Sequence, residues 1–240
     1  MDPTHPDGIL ILTGVELEAT ALARHLDLPP APTLPGRAFG RGRVRVAATG
    51  VGAALLEKRW PGLLHGLTRP LVVSAGVCGA LDPALPPGSL ICPECVQTAD
   101  GMEYHLEDRR HRDRVAGRVA TIHGGLLVGA REIVAGPADK ARLRRRTGAA
   151  AVDMESAAIV GAAAAAGLLW LVLRGVSDGA DESVPPGLVR LVGPEGRLRI
   201  GGAVALAVTR PRVISRAIGL GRNTRRALVE VARALSALAA

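Results

Sequence analysis

Three acidic residues stand beside apolar runs, where a folded chain would bring their side chains to the rim of a cleft. Asp178 comes after the apolar run 168–173, Glu155 opens an Ala-rich segment, and Glu18 follows the apolar run 9–13. Carboxyl groups in such places can act as an acid and a base in bond cleavage. The acid must keep its proton at neutral pH, and a pocket of low dielectric constant favours this because it raises the pKa of a carboxyl group.

The same three acids also have ordinary structural interpretations. Asp178 would form a local turn or capping hydrogen bond. An acid at the start of a helix, such as Glu155 or Glu18, would complement the helix dipole. Met154, next to Glu155, is more often a residue that fills a core. Taken one residue at a time, both interpretations stay open.

The composition limits the classes of function. Of the 240 residues, 48% are hydrophobic and 2% are aromatic. Any platform for stacking bases is therefore thin, which argues against binding of single-stranded nucleic acid. The net charge of +8 is concentrated in residues 210–240, which carry seven arginines and one glutamate. The arginine-rich runs 109–112 and 142–146 are predicted to be solvated faces, so we expect no nucleic-acid partner.

The three cysteines predict neither a disulfide framework nor a metal site. Cys92 and Cys95 have the spacing of a metal-binding pair, but a zinc site needs two more ligands and the sequence has no second pair. Free thiols fit a reducing compartment, and the first residues lack the pattern of a signal peptide, so we expect a cytoplasmic protein. The uncharged stretch 157–173 is better explained by a helix that ends at Gly167, followed by a strand, than by a membrane span.

The apolar pattern predicts the elements that must position these side chains. Strands are predicted at residues 9–13, 44–48, 71–75, 89–91, 126–128, 150–152 and 168–173. Helices are predicted at residues 16–26, 53–66, 138–147 and 155–166. Glycines predict a turn at 75–79. Strands that alternate with helices indicate an α/β fold, in which helices cover a sheet.

The chain divides into a catalytic domain at residues 1–182 and an extension at residues 183–240 that packs on it or prolongs it. Residues 183–200 are rich in Pro and Gly and are predicted to form a long loop. An apolar segment at 200–208 follows, then a break at Pro211. A last helix is predicted at 223–239, with arginines on one face and an apolar stripe on the other, made of Leu228, Val231, Leu235 and Leu238.

Five segments, in order, resemble the purine nucleoside phosphorylase and nucleosidase superfamily, above all its methylthioadenosine/adenosylhomocysteine nucleosidase-like branch. The resemblance spans residues 9–182. It is carried by residues 9–18 (ILILTGVELE), 48–52 (ATGVG), 74–83 (SAGVCGALDP), 151–158 (AVDMESAA) and 174–178 (RGVSD). The last two segments are specific as a pair, because their joint occurrence in this order is unlikely by chance.

The resemblance implies a three-layer αβα sandwich around a central mixed sheet, and cleavage of the N-glycosidic bond between a purine and ribose. Such cleavage requires a proton on the leaving base and stabilisation of an oxocarbenium-like sugar. By position, Asp178 would protonate the purine. Glu18 would activate water, with Arg174 beside it. A homo-oligomer is implied as well.

The resemblance assigns further residues to substrate binding. Glu155 would hold the ribose hydroxyls, and Met154 would lie against the sugar. The turn formed by Val77, Cys78 and Gly79 would line the pocket for sugar and base. Asp153 and Ile133 are also assigned to substrate binding.

Water is the preferred acceptor. The chain lacks the early Gly-Asp-Pro-x-Arg motif with which phosphorylases of this superfamily bind phosphate, and Glu18 fits the hydrolytic pattern better. No cofactor is expected, and phosphate would be a co-substrate only if the enzyme were a phosphorylase.

The substrate is predicted from a looser similarity. Residues 185–196 and the arginine-rich tail are similar to hopanoid-associated phosphorylases, which implies release of adenine from adenosylhopane. An amphipathic, arginine-rich helix can contact an anionic membrane surface peripherally, or its apolar stripe can pack on the body. The alternatives are a methylthioadenosine/adenosylhomocysteine nucleosidase, a phosphate-dependent phosphorylase, and a non-catalytic module that binds a nucleoside or a membrane.

Overall fold

The apolar runs of the sequence form the strands of one mixed sheet. The computed structural model describes residues 6–50, 53–184 and 211–239, and within these ranges the sheet has ten strands. The strands are β1 (Ile9–Thr13), β2 (Ala38–Arg41), β3 (Val44–Ala48), β4 (Leu71–Ala80), β5 (Leu90–Ile91), β6 (Cys95–Gln97), β7 (Glu103–His105), β8 (Leu126–Gly129), β9 (Ala151–Asp153) and β10 (Trp170–Asp178). The helices are α1 (Glu16–His25), α2 (Ala53–Leu64), α3 (Arg110–Ala116), α4 (Pro137–Thr147), α5 (Ser156–Ala165) and α6 (Pro211–Ala239).

The strand order explains why the central strands read as apolar runs. The sheet runs β2-β3-β1-β4-β9-β8-β6-β7, and β10 pairs with both β4 and β5. β1 is parallel to β3 and β4, and β4 is parallel to β10, whereas β4 and β9 are antiparallel. Parallel strands are covered on both faces and are therefore almost continuously apolar. The predicted runs 9–13 and 44–48 coincide with β1 and β3.

Helices cover both faces of the sheet, which confirms the predicted three-layer α/β fold. Successive residues of a strand point to opposite faces. Leu10 of β1 belongs to the same buried core as Ile159 of α5. The next residue, Ile11, belongs to the core that contains Leu22 of α1 and Leu235 of α6.

β4 and β10 continue past the apolar runs that predict them. They pair from Trp170 opposite Val72 to Asp178 opposite Gly79, with a register shift just before Asp178. The predicted turn at residues 75–79 is therefore wrong, because this segment is the second half of β4. Glycine within a strand often marks a close approach by another group rather than a turn, and Gly76 is such a position.

The last helix, α6, is longer than predicted, and it packs in the core that contains Ile11 of β1 and Leu22 of α1. It begins at Pro211, and proline suits the first position of a helix because its missing N–H has no partner there in any case. The apolar stripe is buried, and the helix contacts β10, α1 and α3; the stripe residues are Leu228, Val231, Leu235 and Leu238. Arg222, Arg225, Arg226 and Arg233 are exposed. This part of the apolar stripe thus packs on the sheet and on the neighbouring helices.

Two sequence predictions concern residues that lie largely outside the described ranges. The loop at 183–200 and the apolar segment at 200–208 fall there, apart from residues 183 and 184. The domain boundary after residue 182 therefore stays a prediction. The stretch 157–173 is a helix followed by a strand, as predicted. Within the described ranges, no helix has the length and apolar character needed to cross a membrane.

Candidate active site

The three predicted acids lie directly after strands of the sheet or at a strand end. Asp178 is the last residue of β10, Glu18 lies in the first turn of α1 after β1, and Glu155 lies between β9 and α5. β1, β4 and β10 are parallel, so their carboxyl ends open at the same edge of the sheet. This edge is where α/β enzymes place their ligands.

Two glycines let backbone segments approach the polar side chains. A Cβ atom at Gly14 would lie 2.6 Å from the carboxyl carbon of Glu155. A Cβ atom at Gly76 would lie 2.4 Å from Nη1 of Arg174 and 2.7 Å from Oε1 of Glu18. Gly76 also has a φ angle of 148°, which favours glycine. Both positions therefore need glycine if these polar side chains are to stay where they are.

Glu18 is buried and held by two backbone N–H groups. Its Oε1 accepts a hydrogen bond from the N–H of Val77 at 2.9 Å, and its Oε2 accepts one from the N–H of Val15 at 3.4 Å. Burial raises the pKa of the Glu18 carboxyl, although the charge of Arg174 and the two N–H groups act in the opposite direction. A carboxylate with a raised pKa is a stronger proton acceptor.

Arg174 is fully enclosed by the protein and lies among the acids. Its Nη2 is 2.9 Å from Oδ2 of Asp153 and donates to Oγ of Ser74 at 2.8 Å, and its Nε donates to Oγ of Ser156 at 3.1 Å. Burial disfavours the charged form, but the surrounding carboxylates outweigh this effect and raise the pKa of the guanidinium. Arg174 is thus a fixed positive charge within the site.

Asp153 and Glu155 have different surroundings although one residue separates them. Asp153 accepts hydrogen bonds from the hydroxyl of Ser156 at 2.5 Å and from its backbone N–H at 3.2 Å, at the start of α5. Burial, strengthened by the charge of Asp153, raises the pKa of Glu155 to about 8. The raised pKa favours the protonated form of Glu155, and a protonated carboxyl can both donate and accept hydrogen bonds.

The thiol of Cys78 lies within electrostatic reach of acids from three distant parts of the sequence. Its side chain is buried, and burial raises the pKa of the thiol. The carboxylates of Asp153, Asp178 and Glu18 all raise it further, and Arg174 lowers it. The structure thus brings these acids together around one buried position in β4.

Asp178 has a partner on each carboxylate oxygen. Oδ1 accepts a hydrogen bond from the hydroxyl of Ser177 at 2.6 Å, and Oδ2 accepts one from Nζ of Lys140 at 2.5 Å. Lys140 lies in α4 and is completely buried. The sequence prediction missed it because it precedes Asp178 by 38 residues in an arginine-rich segment. The one feature of the sequence that could have drawn attention to Lys140 is its residue type, because Lys58 and Lys140 are the only lysines among the 30 lysine and arginine residues.

Val77, Gly79 and Met154, which the resemblance assigns to the pocket, lie at the same edge. Val77 contributes its backbone N–H to Glu18. A Cβ atom at Gly79 would lie 3.1 Å from Oδ2 of Asp178. Met154 is partly buried and follows Asp153 directly.

Ile133 is less closely tied to these groups. It is 41% exposed and lies in the segment that precedes α4. The carbonyl of Ala135 accepts a hydrogen bond from the N–H of Val184 at 2.9 Å. This bond joins the segment of Ile133 to the segment that follows Asp178.

A cavity of about 630 Å³ lies beside the acids rather than among them. The cavity lies next to β8 and α4, and its walls include Gly129, Ala130 and Leu143. Gly129 pairs with Asp153 across β8 and β9. Neither Glu18 nor Asp178 lines it, so the cavity is a neighbour of the acidic cluster.

One group of potential metal ligands occurs in the described part of the chain. Cys95, Glu103 and His105 have ligand atoms within 4.8 Å of one another, on the outer hairpin of β6 and β7. Nε2 of His105 lies 3.3 Å from the carboxylate of Glu103, and both side chains are largely exposed. Cys92 is fully buried and does not belong to this group. The expected absence of a metal site stays a prediction.

Comparisons with known proteins identify the class to which this geometry belongs. Residues 105–205 match the family model described as the phosphorylase superfamily. The chain is 32% identical over 226 residues to futalosine hydrolase of Streptomyces coelicolor, a similarity that covers 82% of this chain and 90% of that protein.

Solved structures share the fold at lower identity. A 5′-methylthioadenosine/S-adenosyl homocysteine nucleosidase of Helicobacter pylori matches with a TM-score of 0.72 and 15% identity, over 97% of each chain. Futalosine hydrolase of Helicobacter pylori matches with a TM-score of 0.71 and 15% identity, also over 97% of each chain.

The sequence similarity identifies a nucleosidase-type enzyme, and its fold is of the α/β class. The chain belongs to the phosphorylase superfamily, together with futalosine hydrolase. It is an enzyme that hydrolyses an N-glycosidic bond, as predicted. The alternative of a non-catalytic module is thereby set aside.

Proposed function

We propose that this chain hydrolyses the N-glycosidic bond of futalosine. The observation that carries the proposal is the 32% identity to futalosine hydrolase, which extends over 82% of this chain and 90% of the relative. The cluster of acids at the sheet edge supports it, because hydrolysis of a glycosidic bond needs a proton donor for the leaving group and a proton acceptor for water.

Asp178 is the proton donor to the leaving base in this proposal. Asp178 is 6% exposed at the end of β10. The hydroxyl of Ser177 and the ammonium of Lys140 fix both of its oxygens. A donor that is already oriented loses little entropy when the transition state forms, and this contributes to the rate.

Glu18 is the proton acceptor for the attacking water. The N–H groups of Val77 and Val15 hold its carboxylate. Its raised pKa makes it a better base than an exposed glutamate. Arg174 does not reach the surface, so its proposed task is to balance the charge of the acids and to hold Asp153, not to touch water.

Glu155 and Met154 bind the sugar in this proposal. Glu155 is protonated at neutral pH because its pKa is raised to about 8. It can therefore donate one hydrogen bond to a ribose hydroxyl and accept another. Met154 supplies an apolar, polarizable surface for the sugar ring.

Release of adenine, and adenosylhopane as substrate, remain the alternative proposal. They are motivated by residues 185–196 and the arginine-rich tail, and residues 185–210 lie outside the described ranges. The apolar stripe from Leu228 to Leu238 packs on the catalytic domain and is not available for membrane contact, whereas Ile218 and the arginines at 222, 225, 226 and 233 of α6 are exposed. The homo-oligomer also stays a prediction, which light scattering of the purified protein tests.

The test is an assay of free base released from four substrates, with and without phosphate. They are futalosine, methylthioadenosine, adenosylhomocysteine and adenosylhopane. We expect turnover of futalosine that is preferred over the other three and independent of phosphate. Preferred turnover of another substrate would replace the substrate assignment, and a strict phosphate requirement would contradict hydrolysis.

A further inference from the structure

Lys140 is a buried cation whose ammonium group makes all of its hydrogen bonds to protein atoms. Its side chain is 0% exposed. Its Nζ donates to Oδ2 of Asp178 at 2.5 Å, to the carbonyl of Gly179 at 2.6 Å and to the carbonyl of Glu182 at 3.0 Å. An ammonium has three N–H donors, and all three have an acceptor here. Lys140 thus forms a buried ion pair with Asp178.

This ion pair affects how Asp178 can act as the proton donor of the site. A carboxylate that faces an ammonium at 2.5 Å is ionised, and an ionised carboxylate has no proton to give. The other charged or titratable groups near Asp178 are Cys78 of β4 and, on the following turn, Asp181 and Glu182. The carboxylate of Glu182 accepts a hydrogen bond from the N–H of Gly179 at 3.0 Å. Lys140 is the cation that contacts Asp178 in the described structure, and it is therefore our candidate for the source of that proton.

The residue type at position 140 is consistent with Lys140 as a source of a proton for Asp178. Lys58 and Lys140 are the only lysines among 30 basic residues, so the chain uses arginine almost everywhere a cation is needed. A guanidinium would supply charge but does not release its proton in proteins, whereas an ammonium can. A cation with a purely structural role could be either a lysine or an arginine.

We propose that the acid of this site is the pair of Lys140 and Asp178, in which Asp178 contacts the leaving base and Lys140 replaces the proton that Asp178 gives. An N–H bond of Lys140 breaks as an O–H bond forms on Asp178, and that proton then passes to the base nitrogen as the glycosidic bond breaks. Lys140 is left neutral and Asp178 ionised. Water loses a proton to Glu18, and after the products leave that proton returns through solvent to Asp178, which passes it back to Lys140, so the cycle is balanced. The inference rests on the proposed function of Asp178.

Two substitutions distinguish proton supply from mere positioning. Lys140→Met removes the proton and the charge, and Lys140→Arg keeps the charge but does not release a proton. We expect both variants to lose at least about a hundredfold in kcat at pH 7, a factor typical of general acid catalysis. Lys140→Met should regain activity toward acid pH, where a carboxyl without a neighbouring cation takes its proton from solvent. Lys58→Met, an exposed lysine on α2, is the matched control and should retain wild-type kcat.

A second measurement does not depend on how the variants fold. With ¹⁵N-labelled lysine the wild-type protein has two Nζ signals, which Lys58→Arg assigns. We expect the Lys140 signal to titrate with the same midpoint as the alkaline loss of kcat. Full activity of Lys140→Arg, a wild-type pH profile for Lys140→Met, or loss of kcat at a pH where Lys140 is still charged would overturn the inference. If Asp178→Asn were fully active, the proposed function itself would fail, which is a different result.

Discussion

Asp153 and Glu155 lie on either side of Met154, yet Asp153 is paired with the buried Arg174 at 2.9 Å, whereas Glu155 has no ion pair in the described structure. One carboxyl group at the end of β9 is thus held by a buried cation, while burial raises the pKa of the other, just beyond it, to about 8. Such a division of roles between neighbouring carboxyls is how a single site supplies both charge and hydrogen-bond donors.

The raised pKa of Glu155 predicts how stability depends on pH. Its pKa is about 8 in the folded chain and near 4.5 when unfolded. A group with a raised pKa contributes its full stability below the unfolded value, and this is lost as the pH rises through the folded value. We expect the free energy of unfolding to decrease between pH 4.5 and pH 8, and Glu155→Gln to flatten part of this decrease, measured by urea denaturation. Glu18 is shifted in the same direction, so some slope should remain; an unchanged slope in Glu155→Gln would contradict the assignment.

Removal of Arg174 should destabilise the fold strongly. Arg174→Met leaves Asp153 as a buried charge without its cation, which typically costs about 3–5 kcal/mol. Arg41→Met is the control, since its pair with Asp27 is largely exposed and such pairs contribute about 0–1 kcal/mol. The double variant Arg174→Met/Asp153→Asn should recover part of the loss. Equal unfolding free energies for the two single variants would show that the buried pair is not structural.

Gly14→Ala should weaken substrate binding more than it weakens the fold. The added methyl carbon would lie 2.6 Å from the carboxyl carbon of Glu155 and must displace that side chain. We expect KM to rise about tenfold, which corresponds to about 1.4 kcal/mol. Gly117→Ala is the matched control, because the nearest atom to its new carbon is 3.6 Å away. A KM unaffected by Gly14→Ala would remove Glu155 from the sugar site.

Glu18→Gln tests the proton acceptor without a large change of shape. The amide oxygen can still accept the hydrogen bond from the N–H of Val77, so the variant should fold. We expect kcat to fall by about 10²–10⁴, the range for loss of a general base. Glu57→Gln, an exposed position on α2, should have wild-type kcat. Comparable kcat values for the two variants would exclude Glu18 as the base.

The sequence predicts the central strands well because burial on both faces produces uninterrupted apolar runs. It does not predict β2, β6, β7 or α3, which are short or lie at the border of the sheet, where polar residues are tolerated. It also ends β4 and β10 too early. The second halves of these strands contain Gly76 and Arg174, and it is the buried network of Arg174, Ser74 and Asp153 that makes polar residues stable there.

The acids of the site are recognisable from the sequence because they sit in short motifs at strand ends. The partners that tune them are not. Lys140 reaches Asp178 only through the packing of α4 against the turn after β10, and Ser74 meets Arg174 only through strand pairing across 100 residues. Contacts of this kind depend on the fold and leave no local pattern.

The central claim is that Asp178 is needed to release the base from futalosine. The most direct measurement is the rate of base release by the wild type, Asp178→Asn and Asp113→Asn, with circular dichroism to verify the fold. Asp113 is an exposed aspartate on α3 and serves as the matched control. We expect the wild type and Asp113→Asn to turn over equally and Asp178→Asn to be slower by at least about a hundredfold. Equal rates for all three proteins, or no base release by the wild type, would contradict the account.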